Sequence, residues 1–218
     1  MIKYCIMRIV QVVETMKLNS IRKLLREIIY LDREAVPVEM DLSTLRPLED
    51  FMRQQDEKLI EIKPEMIYQR TLTYPIKSRY LKAENYLNNG YRGFAMVNAD
   101  AVSGDIWCAA STNPKDGLMH PDESWLNIRC GKSEAYTFDM YVNPGKRGSN
   151  LAAALQNGAL HELRKQGFTK AYGFFWADNI AALWVHRTLR WKELKRVKAS
   201  RFIFSKKLRV RTKTGCVA

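Results

Sequence analysis

The sequence predicts an α/β (α+β) domain built on a mixed sheet, and three observations carry that expectation. A strand, helix, strand, helix succession fills the last third of the chain. A strand hairpin precedes it, and 46% of the 218 residues are hydrophobic, enough for a sizeable core. Only 11 Gly and 7 Pro are present, which excludes a low-complexity or collagen-like chain.

Taken in order, residues 1–10 are apolar but short and interrupted by Arg8. They predict neither a membrane span nor a cleaved signal peptide. From Asn19, a stripe of Ile21, Leu24, Leu25, Ile28 and Ile29 opposite Arg22, Lys23 and Arg26 predicts an N-capped amphipathic helix. Residues 1–35 therefore read as a helical extension. Residues 34–40 alternate in part like a strand, with Pro37 suggesting an edge. Residues 41–89 read as mostly helical, broken near Pro47, Pro64 and Pro75. Beyond Gly90 the pattern turns to strands: 94–98 and 102–111 form a hairpin around the polar corner Ala99-Asp100. Residues 112–132 read as a loop with one short element, and 136–142 as a strand rich in aromatics. A helix over 151–166 presents Leu151, Leu155, Ala159 and Leu163 at intervals of four and is closed by Gly167. A strand over 170–176, a helix over 179–189 and two strands at 191–197 and 199–206 complete the set.

Charge is unevenly spread. Of 36 Lys and Arg, twelve lie between Arg187 and the C-terminus beside one acid, Glu193, so this stretch carries +11 of the net +13. The rest is near neutral, and a generally basic protein is excluded. Residues 207–218 read as a basic tail available to an acidic partner or anionic surface. The cysteines Cys5, Cys108, Cys130 and Cys216 lie far apart, and His120, His161 and His186 have no ligand spacing with them. No disulfide framework and no metal site are expected, and a reducing, cytoplasmic location is the default.

The chemically informative stretch runs from the strand ending at Val142, through a turn with Pro144 and Gly145, to Lys146-Arg147-Gly148 and a helix starting near Asn150 or Leu151. The first amides of a helix lack partners and sit at its positive end, so this junction suits a pyrophosphate. Gly148 lets the backbone approach closely, and Lys146 and Arg147 supply charge.

The ordered set Val142-Asn143-Pro144, Arg147-Gly148-Ser149-Asn150-Leu151-Ala152, Gly167-Phe168 and Asp178-Asn179-Ile180-Ala181-Ala182 resembles the GNAT superfamily of N-acetyltransferases. The resemblance covers residues 136–206, extends loosely back to 94, and finds nothing diagnostic in 1–85. It implies an acyltransferase domain over 36–206 whose central sheet is mixed and mostly antiparallel, with splayed parallel strands and flanking helices. It implies acetyl-CoA, or another acyl-CoA, as cofactor and direct attack of an amine on the thioester. Amides of Met140, Tyr141 and Val142 would hold the pantetheine arm, those of Arg147, Gly148, Ser149, Asn150, Leu151 and Ala152 the pyrophosphate, and Asn179 the arm again. Arg187, Arg190 and Lys192 would face the phosphate end. The acceptor would be a small-molecule or peptide amine, and the resemblance is compatible with a homodimer.

Three positions depart from the pattern. Asn150 stands where a glycine is usual, His186 where a Tyr acid is usual, and Arg190-Trp191 replaces Gly-Phe. His186 is then the candidate acid, and Asp139 and Glu123, with Asp122 and Glu134 behind them, the candidate bases. Trp107, Trp125, Tyr136 and Tyr141 are the candidate aromatics of an acceptor pocket, although strand aromatics also build cores. Two other readings remain: a fold of this type that binds CoA without turnover, and a nucleic-acid or anionic-surface module using the basic end.

Overall fold

The computed structural model describes residues 30–53, 55–110, 118–202 and 209–212. The expected amphipathic helix over 19–29 lies outside them, as do 203–208 and 213–218. Strands are β1 (Tyr30–Asp41), β2 (Lys58–Ile62), β3 (Arg92–Asn98), β4 (Ala101–Ala109), β5 (Glu134–Val142), β6 (Lys170–Trp176), β7 (Lys192–Glu193), β8 (Val197–Phe202) and β9 (Arg209–Thr212). Helices are α1 (Glu49–Met52), α2 (Pro64–Tyr68), α3 (Lys77–Asn88), α4 (Pro121–Leu126), α5 (Leu151–Lys165) and α6 (Ile180–Thr188).

The sheet runs β2-β3-β4-β5-β6-β1-β8-β9, with β7 paired to β1. Among the described strands only β5 and β6 pair in parallel; the other strand pairs are antiparallel. Helices α1, α5 and α6 cover one face, over a core of Val36, Val38, Phe94, Ile106 and Phe175 against Leu151, Leu155, Leu160 and Leu163 of α5. Each of those buried leucines is worth about 1.5–3 kcal/mol. Helices α2, α3 and α4 cover the other face, over Ala95, Trp107, Tyr136 and Phe138.

The hairpin, β6, and the boundaries of α5 and α6 agree with the sequence to within one or two residues. Several expectations are corrected. Residues 30–35 belong to β1 rather than to a helical extension, and part of the expected tail, 209–212, pairs with β8. A strand, β2, interrupts the stretch read as mostly helical. Pro37 is not on an edge: β1 lies between β6 and the β7–β8 pair. Pro37 is tolerated because the flank it offers outward falls between β7 and β8. There it needs no N–H, and its carbonyl accepts from Leu194 N–H at 2.8 Å.

The join between β5 and β6 is short. Pairing covers Glu134↔Lys170, Ala135↔Ala171 and Tyr136↔Tyr172, after which the strands part. β5 stays with β4 as far as Val142, and β6 stays with β1 as far as Trp176. At the vertex, Thr137 Oγ1 donates to Tyr172 O at 3.0 Å. Gly173 faces it with no room to spare: a Cβ there would lie 2.9 Å from Thr137 Oγ1 and 3.1 Å from Thr137 O. Gly173→Ala is therefore expected to lose about 1–3 kcal/mol in urea denaturation. Part of that loss should return in the double variant with Thr137→Ala, which removes the nearest clash.

Candidate active site

The parted strands open a cavity of about 1050 Å³ whose walls come from both faces of the sheet. On the α5–α6 side it is lined by Met140, Val142, Arg147, Gly148, Asn150, Leu151, Ala152, Gln156, Asn179 and His186. On the α3–α4 side it is lined by Tyr86, His120, Asp122, Phe138, Asp139, Phe174 and Trp176.

At the basic end, the turn Pro144–Lys146 leads into α5 through Arg147–Asn150. Asn150 is the N-cap at φ 63°, ψ 6°, the left-handed geometry that Asn adopts more readily than most residues. Among the described residues, the amides of 148–152 donate to no backbone carbonyl. Gly148 has φ +87° and a Cβ there would meet nothing within 4 Å, so the loop offers its amides to open space. Arg147 is exposed and makes no ion pair among the described residues. Lys146 is held by Glu57 at 2.8 Å, whose buried carboxylate also accepts from Ser103 Oγ. Donors, positive dipole end and a free cation make this a fit for a pyrophosphate. Asn179 caps α6 by accepting from Ala182 N. Of the residues implied for cofactor binding, Tyr141 and Ser149 do not line the cavity; the other eight do.

Opposite the vertex, β5 carries a bulge. Trp107 pairs with Phe138 and Asp105 with Tyr141, so Asp139 and Met140 together face Ile106. Asp139 has φ +45°. Arg79, buried in the first turn of α3, holds this geometry. Its Nε donates to Asp105 Oδ1 at 2.7 Å, its Nη1 to Asp139 Oδ2 at 2.8 Å and its Nη2 to Asp139 O at 2.5 Å. Lys82 and Tyr86 add hydrogen bonds to Asp139 Oδ2 at 3.2 and 2.5 Å, and Trp107 Nε1 donates to Asp105 Oδ2 at 2.9 Å.

This arrangement decides the candidate bases. Although burial opposes it, the charges of Arg79 and Lys82 and the Tyr86 hydroxyl hold the Asp139 carboxyl well below the usual carboxylate range. Asp139 is thus a structural anion and a very weak base, contrary to the sequence expectation. Glu123 does not line the cavity. It is buried in α4, where it accepts from His120 N at 2.7 Å and closes a capping box. The candidate acid is also corrected. His186 is buried between Phe175 and Trp191, and burial lowers its pKa. Its Nδ1 lies 2.7 Å from Ala182 O and must donate there. Its Nε2, 3.5 Å from Gln156 Nε2, is then an acceptor with no proton to give.

None of Trp107, Trp125, Tyr136 and Tyr141 lines the cavity. Trp107 and Tyr136 are core, Tyr141 lies under the Arg79 guanidinium, and Trp125 packs behind Trp176. The aromatics that do line it are Tyr86, Phe138, Phe174 and Trp176, with Phe175 on the α5–α6 side. Arg187, Arg190 and Lys192 are likewise absent from its walls; Lys192 lies by Glu39, as Arg196 does by Glu34 and Lys198 by Asp32. The residue missed was His120, whose ring stacks on Phe138 at 4.1 Å. Burial lowers its pKa, opposed by Asp122, Glu123 and Asp139. Its Nδ1 lies 3.2 Å from Asp122 N and 3.5 Å from Asp122 Oδ2. No helix among the described residues is long and apolar enough to cross a membrane, and no group of His, Cys, Asp or Glu among them could hold a metal ion.

Arg79→Met would leave the buried Asp105 without a cation and Asp139 with Lys82 alone, and is expected to lose about 3–5 kcal/mol at pH 7 in urea denaturation. In the variant the Asp105 carboxyl, which burial already raises and Arg79 holds back, would be raised further, so stability should rise as pH falls from 7 towards ~4. In the wild type, the depressed Asp139 contributes stability above ~4 that is lost only below it. Denaturation curves at pH 7, 5.5 and 4.5 separate the two slopes.

No protein-family model matches the sequence, and no curated protein does. Solved structures do match. A GCN5-related glucosamine N-acetyltransferase region of a fungal multi-domain GH3 β-N-acetylglucosaminidase aligns over 83% of this chain and 22% of its own, at 13% identity and a TM-score of 0.57. A tandem GNAT protein from the clavulanic acid biosynthesis pathway aligns over 81% and 55%, at 13% identity and 0.54. A GCN5-related N-acetyltransferase from Sphaerobacter thermophilus aligns over 83% and 55%, at 11% identity and 0.50. The chain thus spans about half or less of the length of these neighbours. With its mostly antiparallel sheet, its single parallel pair and its flanking helices, the chain has the fold of the GNAT N-acetyltransferases.

Proposed function

We propose that this protein is an acyl-CoA-dependent N-acyltransferase, acetyl-CoA being the first donor to test. The observation that carries the reading is the cleft between β5 and β6 opening onto the amides of 148–152, which donate to no backbone carbonyl among the described residues. Those amides and Arg147 would hold the pyrophosphate. The separated edge of β5 around Met140 to Val142 and the side-chain amide of Asn179 would hold the pantetheine arm. When bound, the acyl-CoA supplies a thioester carbonyl open to an amine and a thiolate leaving group. Because the cavity reaches both faces, the amine would enter from the α3–α4 side.

His120 would take the proton of the amine. Burial favours its neutral imidazole, whose unprotonated nitrogen is Nδ1, accepting from Asp122 N–H at 3.2 Å and lying 3.5 Å from Asp122 Oδ2. A proton gained there is stabilised by the same carboxylate.

Isothermal calorimetry with acetyl-CoA tests the binding half: heat of binding is expected, weakened at least about tenfold by Arg147→Glu. No heat from folded protein overturns the reading. The catalytic half is read from thiol release. kcat/KM should fall as pH drops through the His120 pKa, below about 6.5, since the base must be unprotonated. His120→Asn keeps an N-cap side chain but should abolish that limb and lower kcat about 10²–10⁴-fold.

A second reading, CoA binding without turnover, is favoured by the protonation states of Asp139 and His186, which offer neither base nor acid. Acetyl-CoA binding with no thiol release across amines of several classes selects it.

A further inference from the structure

The two ends of the cavity differ in chemistry. The end at α5 is cationic and rich in backbone amides. The end beneath α3 and α4 is aromatic, with Tyr86, Phe138, Phe174 and Trp176 around His120 and Asp122. Phe174 and Trp176 stand edge to face at 5.2 Å, and Trp125 stacks behind Trp176 at 6.0 Å and 15°. Trp125 also ties the wall to its acid, since its Nε1 donates to Asp122 Oδ1 at 2.8 Å.

The charges here are nearly all spoken for. Arg79 and Lys82 balance Asp105 and Asp139, and Glu123 is buried in the α4 cap. Asp122 alone lines the cavity with no Lys or Arg partner among the described residues; its one basic neighbour is His120, which burial keeps neutral. One uncompensated carboxylate beside an aromatic wall attracts one cation and one flat apolar body. A polyamine would leave further charges unmatched. An amino sugar would bring several hydroxyl groups to a surface whose remaining polar atoms are Asp122 Oδ2 and His120 Nε2.

We propose that the acceptor is a primary amine carried on an aromatic ring, its ammonium held by Asp122 and its ring by Phe138, Phe174 and Trp176. This rests on the acyl-transfer reading for its chemistry, but the binding it predicts is measurable without turnover. On transfer, the amine nitrogen bonds to the acyl carbon as the carbon–sulfur bond breaks; one proton leaves to His120 and the other goes to the thiolate.

The test titrates phenethylamine, tryptamine, spermidine, glucosamine and a lysine-containing peptide into the protein with CoA present, and repeats the panel for thiol release with acetyl-CoA. The aromatic amines are expected to bind at least about tenfold tighter than the other three. Asp122→Asn keeps the acceptor for Trp125 while removing the charge, and should weaken their binding about tenfold or more. Trp176→Leu should also weaken it, and neither change should alter the heat of acetyl-CoA binding. Tighter binding or faster turnover of spermidine, glucosamine or the peptide overturns the proposal, as do unchanged aromatic-amine affinities in both variants. Aromatic-amine binding without thiol release supports the pocket and counts against the acyl-transfer reading, so the two fail separately.

Discussion

A buried guanidinium governs this structure. Arg79 reaches from the first turn of α3 into the sheet and binds two strands at once, Asp105 on β4 and the backbone and side chain of Asp139 on β5. A non-glycine residue at positive φ costs on the order of 1–3 kcal/mol, so Asp139 stays there only because its surroundings over-determine it. The extra residue reverses the facing of β5. Tyr136 and Phe138 point to the α3–α4 side, whereas Met140 and Val142, which even spacing would put with them, pack towards α5. One ionic clamp thereby decides which side chains meet on each side of the opening.

That opening depends on how little joins the two halves of the sheet. β2 to β5 form one sheet half and β6, β1, β8 and β9 the other, linked by three residue pairs and a threonine hydroxyl. A full parallel ladder would seal the cleft. With the strands parted, the face bearing α5 and α6 communicates with the face bearing α3 and α4. A polyanion and an apolar cation could therefore meet without sharing an entrance.

What the sequence disclosed was local. Strand, turn and helix from Val142 to Leu151 follow one another in the chain, and their residues dictate one another's conformation: Asn150 suits the left-handed cap, and Gly148 the open loop. What stayed hidden was long-range. Pro37 suggests an edge until one knows that its bare flank falls between two partner strands. Asp139 reads as a plausible base because nothing nearby in sequence announces Arg79, sixty residues earlier. Arg79, Lys82 and Tyr86 share one face of α3, and that polar stripe on an otherwise apolar side was the available signal. In the sequence His120 stands out only as one of three histidines without ligand spacing. Its value as a neutral imidazole arises from Phe138 and Asp122, which the fold brings around it.

The position of β1 has a consequence for the birth of the molecule. It is made first among these strands, yet its partners β6 and β8 emerge more than a hundred residues later. At roughly 5–20 residues per second, β1 must wait on the order of ten seconds for either edge to be covered. The hairpin β3–β4 and its neighbour β2 are close in sequence and can associate while synthesis continues. One half of the sheet can thus form on the ribosome while the other, threaded by its oldest strand, closes only when the C-terminal third arrives.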